Sequence, residues 1–253
     1  MSGFQPDHAS AGVCPSPNHG ARRNGRTPDM LILHYTGMPS AEAALAWLCA
    51  EESQVSSHYF VDERGRITQL VPESQRAWHA GQGHWKGDTD INSASIGIEI
   101  ANPGHAGGSP PFEAAQIEAV IRLCRDIVER HAIPAERVLA HSDIAPLRKQ
   151  DPGELFPWDR LFREGIGHWV EPVPVGGGRF FQEGDAGQPV EALQSMLTLY
   201  GYGVRVDGSY DAETSAVIRA FQRHFRPARV DGVADASTIG TLHRLLSELP
   251  TVA

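Results

Sequence analysis

The stretch EPVPVGGGRF at residues 171–180 is too dense in proline and glycine for a core strand or helix to run through it. The chain must therefore be read as two units joined by a linker. Its 253 residues are enough for two ordinary domains, and 41% hydrophobic residues suffice for real cores. We divide it into an irregular N-terminal arm over 1–27, a larger domain over 28–170, the linker at 171–180 and a small helical unit over 181–249.

Within the larger unit, elements of both periodicities alternate. MLILHYTG from Met30 reads as a buried strand ending in a turn. Ser40 is a credible N-cap for the helix AEAALAWLCAEE. SSHYFVDERGRITQLVP reads as a hairpin turning around Glu63 to Gly65, and SIGIEI points Ile96, Ile98 and Ile100 to one face, with Glu99 on the other. Ile117, Ile121, Cys124 and Val128 recur at helical spacing, predicting a helix from Pro111 to His131. IPAERVLA then reads as a short buried strand leading into VLAHSDIAPLRKQDPG, whose prolines and glycine keep it from being a regular helix. This order predicts an α/β domain with a mixed sheet flanked by helices.

Beyond the linker, VDGSYDAET at 206–214 recurs as VDGVADAST at 230–238, each copy before a helical pattern. Val190, Leu193, Leu197 and Tyr200 mark an earlier helix, so a compact three-helix unit is expected. Two copies are too few for a solenoid.

A formal charge of −9 without a long basic run disfavours nucleic acid and polybasic membrane contacts. No stretch approaches the roughly 18 apolar residues a spanning helix requires, so no integral membrane association is expected. Cys14, Cys49 and Cys124 form an odd set with no CxxC pair, against a disulfide framework or thiolate cluster; Cys49 and Cys124 read as small apolar helix residues. The polar N-terminus shows no apolar leader core, which makes a cytoplasmic protein the default expectation, with a periplasmic or wall-associated one as the alternative.

Two imidazoles and a carboxylate would make an open three-ligand Zn²⁺ site, and His34, His141 and Asp151 could supply them from two strand ends and a loop. The spacing alone is weak: there is no HExxH, twelve histidines permit accidental triads, and Asp151 before Pro152 also suits a simple turn. Glu99 could exchange a proton with a metal-bound water if one lay beside it, or could simply face solvent from the sheet. Lys149 could stabilise a developing negative charge, or be an exposed loop cation.

Taken together, LILHYTG, SSHYFVDERGRITQLVPE, AWHAG, SIGIEI and HSDIAPLRKQDPGELFPW resemble the zinc-dependent N-acetylmuramoyl-L-alanine amidases of the type-2 (AmpD/AmiD-like, peptidoglycan-recognition) fold, over residues 28 to 168. The resemblance implies one zinc ion held by His34, His141 and Asp151, with Glu99 as base and then acid and Lys149 stabilising the oxyanion. The implied reaction is hydrolysis of the amide between N-acetylmuramic acid, in intact or 1,6-anhydro form, and L-alanine of peptidoglycan or muropeptides. His58 is a candidate for building the cleft, Trp78 and His79 for lining its sugar or peptide side, and Asp143 for organising the loop without binding metal. The C-terminal unit resembles a peptidoglycan-binding domain, with Gln194, Tyr200, Gly201 and Tyr202 in its first part and Asp207, Gly208, Thr214, Phe221 and Gln222 in the next. A noncatalytic murein-recognition protein and a metal-dependent murein peptidase are the competing readings.

Overall fold

The computed structural model describes residues 4–178 and 180–249; residues 1–3 of the arm and position 179 of the linker lie outside the described residues. In chain order the elements are β1 (Gly12–Val13), β2 (His19–Ala21), β3 (Met30–Tyr35), α1 (Ala41–Leu48), β4 (Tyr59–Val61), β5 (Ile67–Gln69), β6 (Gln75–Ala77), α2 (Ile91–Ala94) and β7 (Ser95–Ile100). They continue as α3 (Ala114–His131), β8 (Val138–Ala140), α4 (His141–Ile144), α5 (Trp158–Arg163), α6 (Gln188–Tyr200), α7 (Ala212–Phe225) and α8 (Ala236–Glu248).

Six strands form one mixed sheet in the order β1-β5-β4-β7-β3-β8, parallel throughout except for the β4–β5 hairpin. Period-two alternation decides what each face carries. Leu31 and Leu33 of β3 and Ile96, Ile98 and Ile100 of β7 pack with Ile117, Val120 and Ile127 of α3. On the opposite face, Met30 and Ile32 of β3 and Leu139 of β8 join a second core. His34 and Glu99 continue that second face one step beyond the apolar residues, and the register places them side by side on neighbouring strands.

Several local expectations shift. The helix expected from Pro111 starts at Ala114, since Pro110 and Pro111 favour extended chain ahead of Glu113. IPAERVLA is a strand only over its last three residues, because Ala135–Arg137 form a 3-10 turn. The arm expected to be irregular instead supplies two strands: β1 extends the sheet beside β5, and β2 pairs antiparallel with β6. It is also pinned by Arg22, whose buried guanidinium donates to the carbonyls of Glu73, Ser93 and Ser95. Strand pairing across more than fifty residues leaves no periodic signature in so short a segment. Cys124 is buried in the α3 core, whereas Cys49 lies beside Cys14 of the arm, their Sγ atoms 3.2 Å apart as free thiols.

The three C-terminal helices use the sequence repeat twice in the same way. Asp211 and Asp235 cap α7 and α8 by accepting from the N–H groups of Thr214 and Thr238. Gln194 accepts from the N–H groups of Asp207 and Gly208 and donates to the Ser209 carbonyl and Thr214 hydroxyl. Gln222 repeats this with Asp231, Gly232, Val233 and Thr238. Gln194, Gln222, Tyr200, Tyr202 and Phe221 are all buried, so these positions of the motif build the fold. The linker separates the two units in sequence but not in packing. Met30, Ile32 and Trp85 share one hydrophobic cluster with Tyr200, Tyr202, Phe221 and Phe225. Among the described residues no helix is long and apolar enough to cross a membrane.

Candidate metal centre and cleft

His34 is the penultimate residue of β3, His141 follows β8, and both project from the sheet face that carries Ile32 and Leu139. The Asp151 carbonyl accepts from the Ser142 N–H at 3.0 Å, folding the loop back so that residues ten apart meet. Three donor atoms converge as a result. His34 Nδ1 and His141 Nδ1 are 2.9 Å apart, and Asp151 Oδ2 lies 3.0 and 2.9 Å from them.

The outer ring nitrogens determine what these inner atoms can do. Nε2–H of His141 donates to the Ala80 carbonyl at 2.9 Å, leaving the Nδ1 lone pair pointing inward. For His34 the assignment runs through a chain of partners. The Ser95 hydroxyl donates to the Ile91 carbonyl at 2.6 Å and so accepts from His79 Nε2–H at 3.1 Å. His79 Nδ1 is then an acceptor for His34 Nε2–H at 3.0 Å, and His34 Nδ1 also presents a lone pair. Two lone pairs and a carboxylate oxygen facing one another within about 3 Å repel unless a cation lies among them. This buried set fits a metal ion. Burial and the neighbouring His141 push His34 down to about 4.

A cleft of roughly 550 Å³ opens over these atoms, lined also by Tyr35, Trp47, Trp78, Glu99, Arg148 and Lys149. Burial and then the charge of Asp151 raise Glu99 well above the usual carboxylate range, with Lys149 opposing. Glu99 Oε2 is buried and has no hydrogen-bond partner. The Lys149 ammonium forms no ion pair among the described residues. Loop and strand thus bring a carboxylate of raised proton affinity and an unpaired cation to the mouth of the donor set.

The remaining candidates divide. Trp78 lines the cleft, as expected. His79 touches it, but both ring nitrogens are used inward, so it orients His34; Gly97 admits it, since a Cβ there would lie 2.5 Å from its ring. His58 is not a cleft residue. It is fully buried, its Nδ1 accepts from the Gly97 N–H, and its Nε2–H donates to the Gln75 carbonyl. Burial and the nearby Arg22 lower it to about 3. Asp143 organises the loop by accepting from the Ala140 N–H and also reaches the C-terminal helices. Sequence reasoning missed Trp47, whose 46% exposure at the cleft is unusual for so large an apolar side chain. It also missed Tyr35, bonded to His105 at 3.0 Å, and Arg148, which shares the Ala80 carbonyl with His141.

This fold and donor set are those of an amidase, and the chain belongs to the N-acetylmuramoyl-L-alanine amidase family, whose model matches residues 24–154. A peptidoglycan-binding domain model matches residues 186–242. The chain is 44% identical over 234 residues to the N-acetylmuramoyl-L-alanine amidase AmiD of Escherichia coli K12, covering 87% of this chain and 82% of that one. It superposes on the structure of E. coli AmiD in complex with anhydro-N-acetylmuramic acid-L-Ala-D-γ-Glu-L-Lys with a TM-score of 0.76 and 41% identity, over 90% and 91% of the two chains. AmpDh3 of Pseudomonas aeruginosa in complex with an anhydromuramic pentapeptide matches with a TM-score of 0.73 and 30% identity, over 90% and 95%.

Proposed function

We propose that this protein hydrolyses the amide joining the lactyl group of N-acetylmuramic acid, including its 1,6-anhydro form, to L-alanine of the murein stem. The observation that carries this reading is the convergence of the three metal-facing donors with the unpartnered carboxylate of Glu99 in one cleft. Support comes from the family and from the anhydromuropeptides named in the AmiD and AmpDh3 complexes.

Two neutral imidazoles and one carboxylate are a donor set that suits Zn²⁺ in open catalytic sites, and we assign zinc to His34, His141 and Asp151. Once bound, zinc supplies Lewis acidity and makes water a usable nucleophile near neutral pH. The work of the chain's own groups follows from their placement. Glu99 holds the proton taken from the attacking water and delivers it to the leaving nitrogen of L-alanine, which must depart as an amine. Lys149 offers its free ammonium to the negative charge that grows on the carbonyl oxygen. Ala80 and His79 keep the two imidazoles in the tautomer that presents Nδ1, and Trp47 and Trp78 supply apolar walls.

The test is to incubate the zinc-loaded full chain with anhydromuropeptides and with intact sacculi and to identify the products by mass. Release of a peptide beginning at L-alanine is the expected result. A shortened stem still attached to muramic acid, or no cleavage by folded zinc-bound protein, overturns the assignment. The C-terminal unit favours a place of action where polymeric wall is met, which cell fractionation together with activity on sacculi would test.

A further inference from the structure

One buried carboxylate beside the metal donors takes no part in this chemistry. Asp143 stands two residues after His141 and is wholly buried, facing away from the cleft toward the C-terminal helices. Its Oδ1 accepts from the Tyr202 hydroxyl at 2.7 Å. Its Oδ2 accepts from His224 Nδ1–H at 2.7 Å and from the Ala140 N–H at 2.8 Å. His224 is itself held in place, stacked between Trp158 at 3.7 Å and Phe225 at 3.8 Å. Both side-chain donors therefore come from the helical unit, on segments 59 and 81 residues away in sequence.

The approach of that unit is built in detail. Gly201 has a positive φ, and a Cβ there would lie 2.6 Å from the Trp85 ring; its carbonyl accepts from the Lys86 N–H at 2.9 Å. Such contacts seat the helices on the larger domain without involving the metal loop. The Asp143 contacts differ in where they act. They grip the single turn of α4 on both sides of His141, through the backbone of Ala140 before it and the side chain of Asp143 after it.

We infer that the C-terminal helical unit is a positioning element of the metal centre: through Asp143, Tyr202 and His224 hold the turn that carries His141. This rests on the metal reading of the His34, His141 and Asp151 donors. A buried carboxylate that loses a donor must move toward another partner, and the backbone it anchors moves with it. Metal affinity is sensitive to contacts that orient the ligands, and the unit that supplies these contacts is packed into the same core as the metal-bearing strands.

The experiment compares full-length wild type with Tyr202→Phe, His224→Gln and Leu245→Ala. Leu245 is buried in the shared core, and its truncation leaves the donors to Asp143 in place. Zinc affinity is measured by competition with a chromophoric chelator, alongside Tm and, at saturating zinc, kcat and KM on an anhydromuropeptide. Tyr202→Phe and His224→Gln should each weaken zinc binding by about 10-fold, the lower end of what losing a direct partner of a ligand costs because they act one contact further out, and lower kcat with KM held. Leu245→Ala should lower Tm by several degrees with wild-type zinc affinity. Wild-type affinity in Tyr202→Phe and His224→Gln, or zinc loss in all three variants in proportion to Tm, overturns the inference. A wild type that binds no zinc sinks the metal reading and this inference together. Zinc binding that weakens as expected in a protein with no amidase product supports the positioning and sinks only the amidase reading.

Discussion

Two sets of buried polar side chains in this molecule are built to opposite rules. In the helical unit, Gln194 and Gln222 have both ends of the amide engaged, accepting from two backbone N–H groups and donating to a carbonyl and a threonine hydroxyl. In the cleft, Glu99 keeps a buried oxygen with no partner, and three acceptor atoms face one another without a proton to share. Satisfied polar groups specify a fold, since each would be costly to strand. Unsatisfied ones store that cost at the place where a ligand can relieve it. The pair teaches that the glutamines of the helical unit and the polar groups of the cleft serve different ends.

The comparison breaks most easily at Glu99. Glu99→Gln should cut kcat by about 10²–10⁴-fold, the typical worth of a general acid–base group, while Tm stays level or rises. A clear fall in Tm would place Glu99 among the structural set. Next, Lys149→Ala should cost about 10²–10³-fold in kcat, in line with losing one oxyanion donor, with zinc binding retained. Steady-state kinetics with saturating zinc would detect it, and an unchanged kcat would return Lys149 to a surface role. Gln222→Leu addresses the satisfied side. It strands the N–H groups of Asp231 and Gly232, so urea unfolding should report a loss of about 2–4 kcal/mol. Loss within 0.5 kcal/mol would mean that water reaches those groups.

The smallest effect is on pH. His58 is lowered to about 3 by burial and Arg22, so below its unfolded value near 6.5 the unfolded chain binds more protons than the folded one. Its share of stability is complete above pH 6.5 and falls by about 1.4 kcal/mol per unit as pH drops toward the folded value. The urea midpoint of metal-free protein should therefore decline between pH 7 and 5, with His34, lowered to about 4, adding to the fall. A flat profile would show that His58 is protonated in the folded chain.

Much of this was legible in the residues. The apolar run of MLILHY, the period-two run of SIGIEI and the 3.6-residue stripe of α3 are local patterns, and each became the element expected. The Ser40 cap is likewise local, accepting from the Ala43 N–H. The ordered motifs pointed to His34, Glu99, His141, Lys149 and Asp151, and the structure brings all five to one cleft or its donor set. Trp47 was read as an ordinary helix residue because only the packing shows that it stands open at the cleft.

What the sequence determined by itself is whatever depends on neighbours within a few turns of chain: element type, capping, the two units and the motif residues. Tertiary structure decided the rest, because those properties belong to pairs of residues far apart. Whether His79 binds substrate or orients His34 depends on Ser95 and Ile91, and His58 left the cleft because Gly97 and Gln75 claim its two ring nitrogens. Asp143 is written in the metal motif, yet its partners Tyr202 and His224 lie past a linker that suggested independence. Burial energy and hydrogen-bond satisfaction are set by what meets in space, and no period along the chain encodes it.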